Sequence, residues 1–172
     1  MKNNHRNQDY ETIVLSQDST VLWIELNRPS AANAINTLMA TELSSTFESL
    51  QREDTGVRCL VLTGSGDRVF CAGADLKERN GMNNNQWRKQ HSIFENVALA
   101  MMNCSIPMIC AVNGAAFGGG MELVLGCDFA WGSSSARFAL TEVTLGIMPG
   151  LGGTQYLPRA VGPRRAKEIM FS

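Results

Sequence analysis

A chain of 172 residues is long enough to bury a sizeable core in one domain. Its 15 basic and 16 acidic residues leave a net charge of −1, which excludes a general nucleic-acid surface or an anionic-membrane binder, and 44% hydrophobic residues exclude a disordered chain. The five cysteines, Cys59, Cys71, Cys104, Cys110 and Cys127, lie scattered in apolar runs with no CxxC pair. They read as reduced thiols in a cytosol-like compartment, neither a zinc site nor a disulfide framework.

Residues 1–10 are polar and carry no apolar core of a secretory signal. A disordered tail is expected there, ahead of a single domain over residues 11–172. No apolar run reaches transmembrane length. Residues 12–15 and Val21–Leu26 read as strands joined by a turn at 17–19. Beyond the segment NRPSAANAIN, residues 27–36, the apolar residues Leu38, Met39, Leu43, Phe47 and Leu50 recur at helical spacing. They predict a helix over 38–52, capped by Asn36 or Thr37. Residues 59–62 form a short apolar strand, 64–67 a turn, and FCAGAD, residues 70–75, a second turn of small residues. A short helix over 76–79, a polar loop over 81–85, a helix over 87–103 and a strand over 107–112 follow. Short strands at 129–131 and 137–139, a glycine-rich turn at 146–153 and helices at 155–161 and 164–171 complete the chain. The recurring order of strand, turn and helix predicts an α/β architecture.

The stretch VNGAAFGGGMELVLGCD, residues 112–128, concentrates the chemistry. Gly118, Gly119 and Gly120 join a strand to a helix, and Glu122 follows in the first turn. Glycine lets backbone approach a ligand closely, and a helix start carries unpaired N–H groups at the positive end of its dipole. Such a turn is able to hold an anion or a developing oxyanion. Glu122 lies three residues after Gly119, so an N–H donor and a carboxylate face one side. Taken alone, the glycines fit a tight strand–helix turn equally well. Other polar residues invite plainer readings. Asp75 fits a helix cap as well as a ligand contact. Cys71 and Cys127 fit small core residues, the pair Met101 and Met102 fits the core, and Asp128 a structural hydrogen bond. His5 and His91 lack partner spacing and read as surface or helix-face residues. Ser133 to Ser135 have no general base near them in sequence.

Four segments, NRPSAANAIN, FCAGAD, GGGMELVLGCD and LTEVTLGIMPGLGGTQYLPR (140–159), together resemble the crotonase superfamily. Among its members they look most like enoyl-CoA hydratases. The run FCAGADLKER is similar to the methylglutaconyl-CoA hydratase branch, some of whose members also bind AU-rich RNA. The resemblance implies a crotonase-like spiral of ββα units, a homo-trimer or hexamer, and addition of water to a 2-enoyl-CoA. It implies that the Ala74 and Gly119 amides form an oxyanion hole. Glu122 and Glu142 would be the two catalytic carboxylates, and the Gly150 N–H would help hold the reacting water. Ala31, Ala34, Ala72, Asp75 and Leu76 are the positions implied for CoA. No metal and no redox cofactor is implied, coenzyme A entering as part of the substrate. Another crotonase-type reaction, an isomerisation or a hydrolysis, and a truncated non-catalytic binding or assembly module are the alternatives.

The chain departs from the family pattern in three places. Ser30 stands where many relatives carry lysine near the CoA phosphates, leaving weaker phosphate binding, or Arg28, Lys77 or a residue beyond Ser172 for that role. The helix over 38–52 has one basic residue, Arg52, so nucleic-acid binding is not carried over. Family members continue beyond the position of Ser172 with helices that cover the acyl pocket, so that helical region is expected to be missing. A cytoplasmic setting is expected, or a mitochondrial matrix in a eukaryote.

Overall fold

The structure, a computed structural model, describes residues 10–52 and 55–172. The expected tail over 1–10 thus falls almost wholly outside the described residues. Tyr10 is half-buried and packs against the core, its phenol oxygen accepting from the Thr46 hydroxyl at 3.2 Å.

Strands β1 (Ile13–Asp18) and β2 (Val21–Leu26) form an antiparallel hairpin in which Asp18 faces Val21. The first strand runs past residue 15, and the turn is shorter than expected, because Ser19 takes up φ 55 and closes it in two residues. A 3-10 turn (Pro29–Ala31) leads to α1 (Thr37–Arg52), whose start is capped by Asn36 Oδ1 accepting from Met39 N at 2.9 Å. Strands β3 (Cys59–Gly64) and β4 (Val69–Cys71) precede α2 (Leu76–Arg79) and α3 (Asn84–Met102). Then come β5 (Met108–Val112), β6 (Ala115–Phe117) and α4 (Gly119–Gly126). Strands β7 (Phe129–Gly132) and β8 (Arg137–Ala139) lead through a 3-10 turn (Glu142–Leu145) to α5 (Gly153–Val161) and α6 (Pro163–Phe171).

The strands form two sheets, one in the order β1-β2-β3-β5-β7 and one in the order β4-β6-β8. Every pairing after the first hairpin is parallel. From β3 onward each unit places its first strand in the larger sheet and its second in the smaller, so the chain winds forward between the two sheets. Two strands were not expected. Strands β4 and β6 fall in segments that read as turns, because three residues of small or mixed side chains carry no alternation to detect. Helix α3 also starts three residues early, since Asn83 and Gln86 form a capping box there.

The core lies between α1, α3 and the larger sheet. Met39, Leu43 and Phe47 of α1 share one hydrophobic cluster with Ile24, Leu26, Leu60 and Leu62, all fully buried. Phe70 and Cys71 of β4 continue this core toward α4. Glu42 is buried, yet satisfied: it accepts from Glu11 N at 2.8 Å, Thr12 N at 3.0 Å and the Thr12 hydroxyl. Among the described residues no helix is long and apolar enough to cross a membrane.

Candidate active site

The small sheet sets two peptide amides side by side. Strand β4 ends in the Cys71–Ala74 turn, and β6 ends at Phe117, directly before α4. Ile35 forms a parallel bridge with Ala74: Ile35 N donates to Gly73 O at 2.8 Å and Asp75 N donates to Ile35 O at 2.9 Å. N–H groups alternate sides along extended backbone, so the Ala74 N–H points away from Ile35. Gly119 is the first residue of α4, where an N–H has no partner within the helix. Among the described residues neither the Ala74 nor the Gly119 N–H meets an acceptor. They are neighbours, since a Cβ on Gly119 would stand 3.7 Å from Ala74 N. Two glycines make the approach possible. Gly73, at φ 94, would with a Cβ come within 2.8 Å of Phe117 O and 3.2 Å of Gly119 N. Gly118 turns the chain into the helix at φ 52, ψ −124, a conformation that a side chain would strain.

Two carboxylates share this cleft. Glu122 is 3% exposed, and its Oε1 accepts from Leu151 N at 2.7 Å and Gly153 N at 2.8 Å. Burial pushes its carboxyl above the usual carboxylate value; the N–H groups of Gly153, Leu151 and Gly150 oppose that, and the Glu142 charge adds to it. Glu142 opens the 3-10 turn after β8 and is 8% exposed. A Cβ on Gly118 would lie 3.2 Å from its Oε1, so it sits over the start of α4. Burial raises its carboxyl as well, against its own backbone N–H. Its Oε2 is buried with no hydrogen-bond partner among the described residues. A buried carboxylate oxygen left without a donor is costly in a purely structural setting.

Both amides and both glutamates open onto one cavity of ≈ 600 Å³. Of the positions singled out by sequence, Ala72, Ala74, Leu76, Gly119, Glu122, Glu142 and Gly150 line it. Ala31, Ala34 and Asp75 do not. Ala31 closes the 3-10 turn, while Ala34 O accepts from Arg28 Nη1 at 2.5 Å. Asp75 caps α2 by accepting from Lys77 N and Glu78 N, and pairs with Arg28 Nη2 at 2.9 Å. That pair occupies one of the two cations considered for the CoA phosphates. Burial pushes the Asp75 carboxyl up, but the Arg28 guanidinium and the N–H groups of Glu78 and Lys77 together hold it below its ordinary value. Cys71 is a buried core thiol pushed up to about 12 by burial, so it is no nucleophile.

The far wall is where sequence reading fell short. His91 is no ordinary helix-face residue: it lines the cavity with its ring against Gly150, 3.3 Å from where a Cβ there would stand. It stacks on Trp87 with ring centres 4.8 Å apart, and its Nε2 faces Glu95 Oε1 at 3.4 Å. Trp87, His91 and Glu95 form an i, i+4, i+8 stripe of α3, the one signal that was available. Arg79 of α2 also lines this wall, its guanidinium 5.0 Å over the Phe94 ring.

Parallel sheets built from ββα units, with paired amides at a helix start and two buried carboxylates beside them, define a protein of the crotonase fold. Comparison with known proteins agrees. The profile described as enoyl-CoA hydratase/isomerase matches residues 16–172, and the chain belongs to that family. It is 39% identical over 163 residues to the crotonyl-CoA hydratase of Syntrophomonas wolfei, covering 95% of this chain and 62% of that protein. It is 40% identical over 152 residues to mouse mitochondrial methylglutaconyl-CoA hydratase, covering 88% of this chain and 48% of that one. The crystal structure of an enoyl-CoA hydratase from Bacillus anthracis superposes with a TM-score of 0.89 at 42% identity, over 94% of this chain and 62% of that chain. The chain thus spans between 48% and 62% of the length of these three relatives.

Proposed function

We propose that this chain carries the site of an acyl-CoA hydratase that adds water to a 2-enoyl-CoA thioester. The observation that carries this reading is the meeting of two unpaired amides and two buried carboxylates on one cavity. The thioester carbonyl takes hydrogen bonds from the Ala74 and Gly119 N–H groups. As water adds to C3, negative charge moves through C2 onto that oxygen, where the two donors stabilise the enolate; losing one such donor typically costs about 2.7–4 kcal/mol of barrier. Glu122 accepts a proton from the water as its oxygen bonds to C3, with the Gly150 N–H helping to hold that water. Glu142 delivers a proton to C2, the C2=C3 π bond having broken. The two acids then exchange one proton to restore the starting state. Raised carboxyls on both residues suit this division, since one must be protonated while the other is charged. No metal or redox cofactor is needed, coenzyme A being part of the substrate.

Assembly into a homo-trimer or hexamer belongs to the same reading. Phe129 and Trp131 on the edge strand β7 are 48% and 72% exposed, and Phe138 of β8 is 47% exposed, which supports a surface covered by another chain. Sedimentation tests that assembly. Turnover of crotonyl-CoA, followed by loss of the conjugated enoyl absorbance, tests the chemistry. Crotonyl-CoA binding without hydration, unaffected by Glu122→Gln or Glu142→Gln, would overturn it and favour a non-catalytic binding module.

A further inference from the structure

We propose that Gln90 is a positioning residue that fixes the direction of the Ala74 amide. This inference rests on the reading of Ala74 as an oxyanion donor.

Gln90 lies on α3, is 3% exposed, and makes no contact with the cavity. Its Nε2 donates to Thr37 Oγ1 at 2.9 Å and to Glu78 Oε2 at 2.7 Å. Its Oε1 accepts from Arg79 Nε at 2.8 Å. The same Glu78 Oε2 accepts from Thr37 N at 2.9 Å, at the start of α1. Both amide hydrogens and the carbonyl of a buried glutamine are therefore used, on three residues of two other helices.

The location of these bonds gives them their consequence. The direction of the Ala74 N–H is set by its bridge to Ile35. Two residues beyond Ile35 the first segment reaches Thr37; four residues beyond Ala74 the second reaches Glu78. Gln90 bonds to both, so it ties the bridged segments together from the third side. Asp75, bonded to Arg28 and to the α2 start, holds the opposite flank. Without Gln90, Glu78 and Arg79 each lose a buried partner, and of these bonds only that from Thr37 N to Glu78 Oε2 still joins α2 to α1, so α2 is held less firmly and the bridge ahead of it turns. Misplacement of a catalytic group by about 1 Å is able to cost roughly a hundredfold in rate.

An acyl-CoA bearing a dimethylaminocinnamoyl chromophore tests this in the 172-residue chain. Its absorption moves to the red in proportion to the hydrogen bonding of the thioester carbonyl. Gln90→Leu is expected to lose more than half of the wild-type red shift at saturating probe, with about a hundredfold lower kcat on crotonyl-CoA and little change in KM. Glu78→Gln keeps an oxygen able to accept from both Thr37 N and Gln90 Nε2, and is expected to keep the shift. A folded Gln90→Leu protein with the full wild-type shift overturns the inference. Should Gln90→Leu not fold, Thr37→Val decides: it removes only the Oγ1 acceptor, and an undiminished shift overturns the inference equally. A wild-type chain that binds the probe without any red shift overturns the oxyanion reading itself, and this inference with it.

Discussion

Glu122 and Glu142 are the residues whose chemistry is most open to direct measurement. Under the proposed hydration, replacing either by glutamine keeps the size and removes the assigned proton transfer, so kcat is expected to fall by about 10²–10⁴ in each single variant, measured on crotonyl-CoA. Glu122 also makes folding depend on pH. Its carboxyl is raised above the ordinary value of 4.5, so the folded protein binds more protons than the unfolded chain as pH rises through that value. Stability contributed by this residue is then lost on going up in pH, from about the ordinary value until the raised one is passed. Glu122→Gln still offers one oxygen to Leu151 N and Gly153 N. Its melting temperature is expected to exceed that of wild type at pH 8 and to match it near pH 4. Gly73 is sensitive for a different reason. A methyl group there would meet Phe117 O at 2.8 Å on a backbone at φ 94, so Gly73→Ala is expected to cost about 1–3 kcal/mol in urea unfolding, and to separate the two amides.

Among the elements, α2 has only the four residues Leu76–Arg79 and cannot hold itself together. Its start depends on Asp75, and Asp75→Ala is expected to cost about 0.5–2 kcal/mol for the lost cap, read from thermal melts. That substitution also removes the ion pair of Arg28, whose guanidinium then keeps Ala34 O as its partner among the described residues. The Asp75 cap was legible in sequence because capping is local chemistry between a side chain and amides two and three residues on. The capping box that starts α3 was equally local, yet the asparagines and glycine around it read as loop. Strands β4 and β6 were not legible. Their three-residue pairings exist only because each edge finds a partner far along the chain, as when Ala116 pairs with Phe138.

For the molecule as a whole, α1 shares one buried core with α3 and the larger sheet. Phe47 is wholly buried in that core, and Phe47→Ala is expected to cost about 3–5 kcal/mol in denaturant unfolding. The α/β class and the extent of α1, to within one residue at its start, were legible in sequence alone, as was the placing of Glu122 beside the Gly119 amide. They follow from periodicity, glycine placement and helix-start chemistry, all of which act over a few residues, whereas Ala74 and Glu142 were singled out only through the resemblance to a family. Tertiary structure alone decided which side chains meet. It brought Glu142 over Gly118, turned His91 into the cavity against Gly150, and set Gln90 between Thr37 and Glu78. Those meetings join residues tens of positions apart. No local spacing encodes them, because they arise only when strands pair in parallel and the intervening helices are folded back onto the sheets.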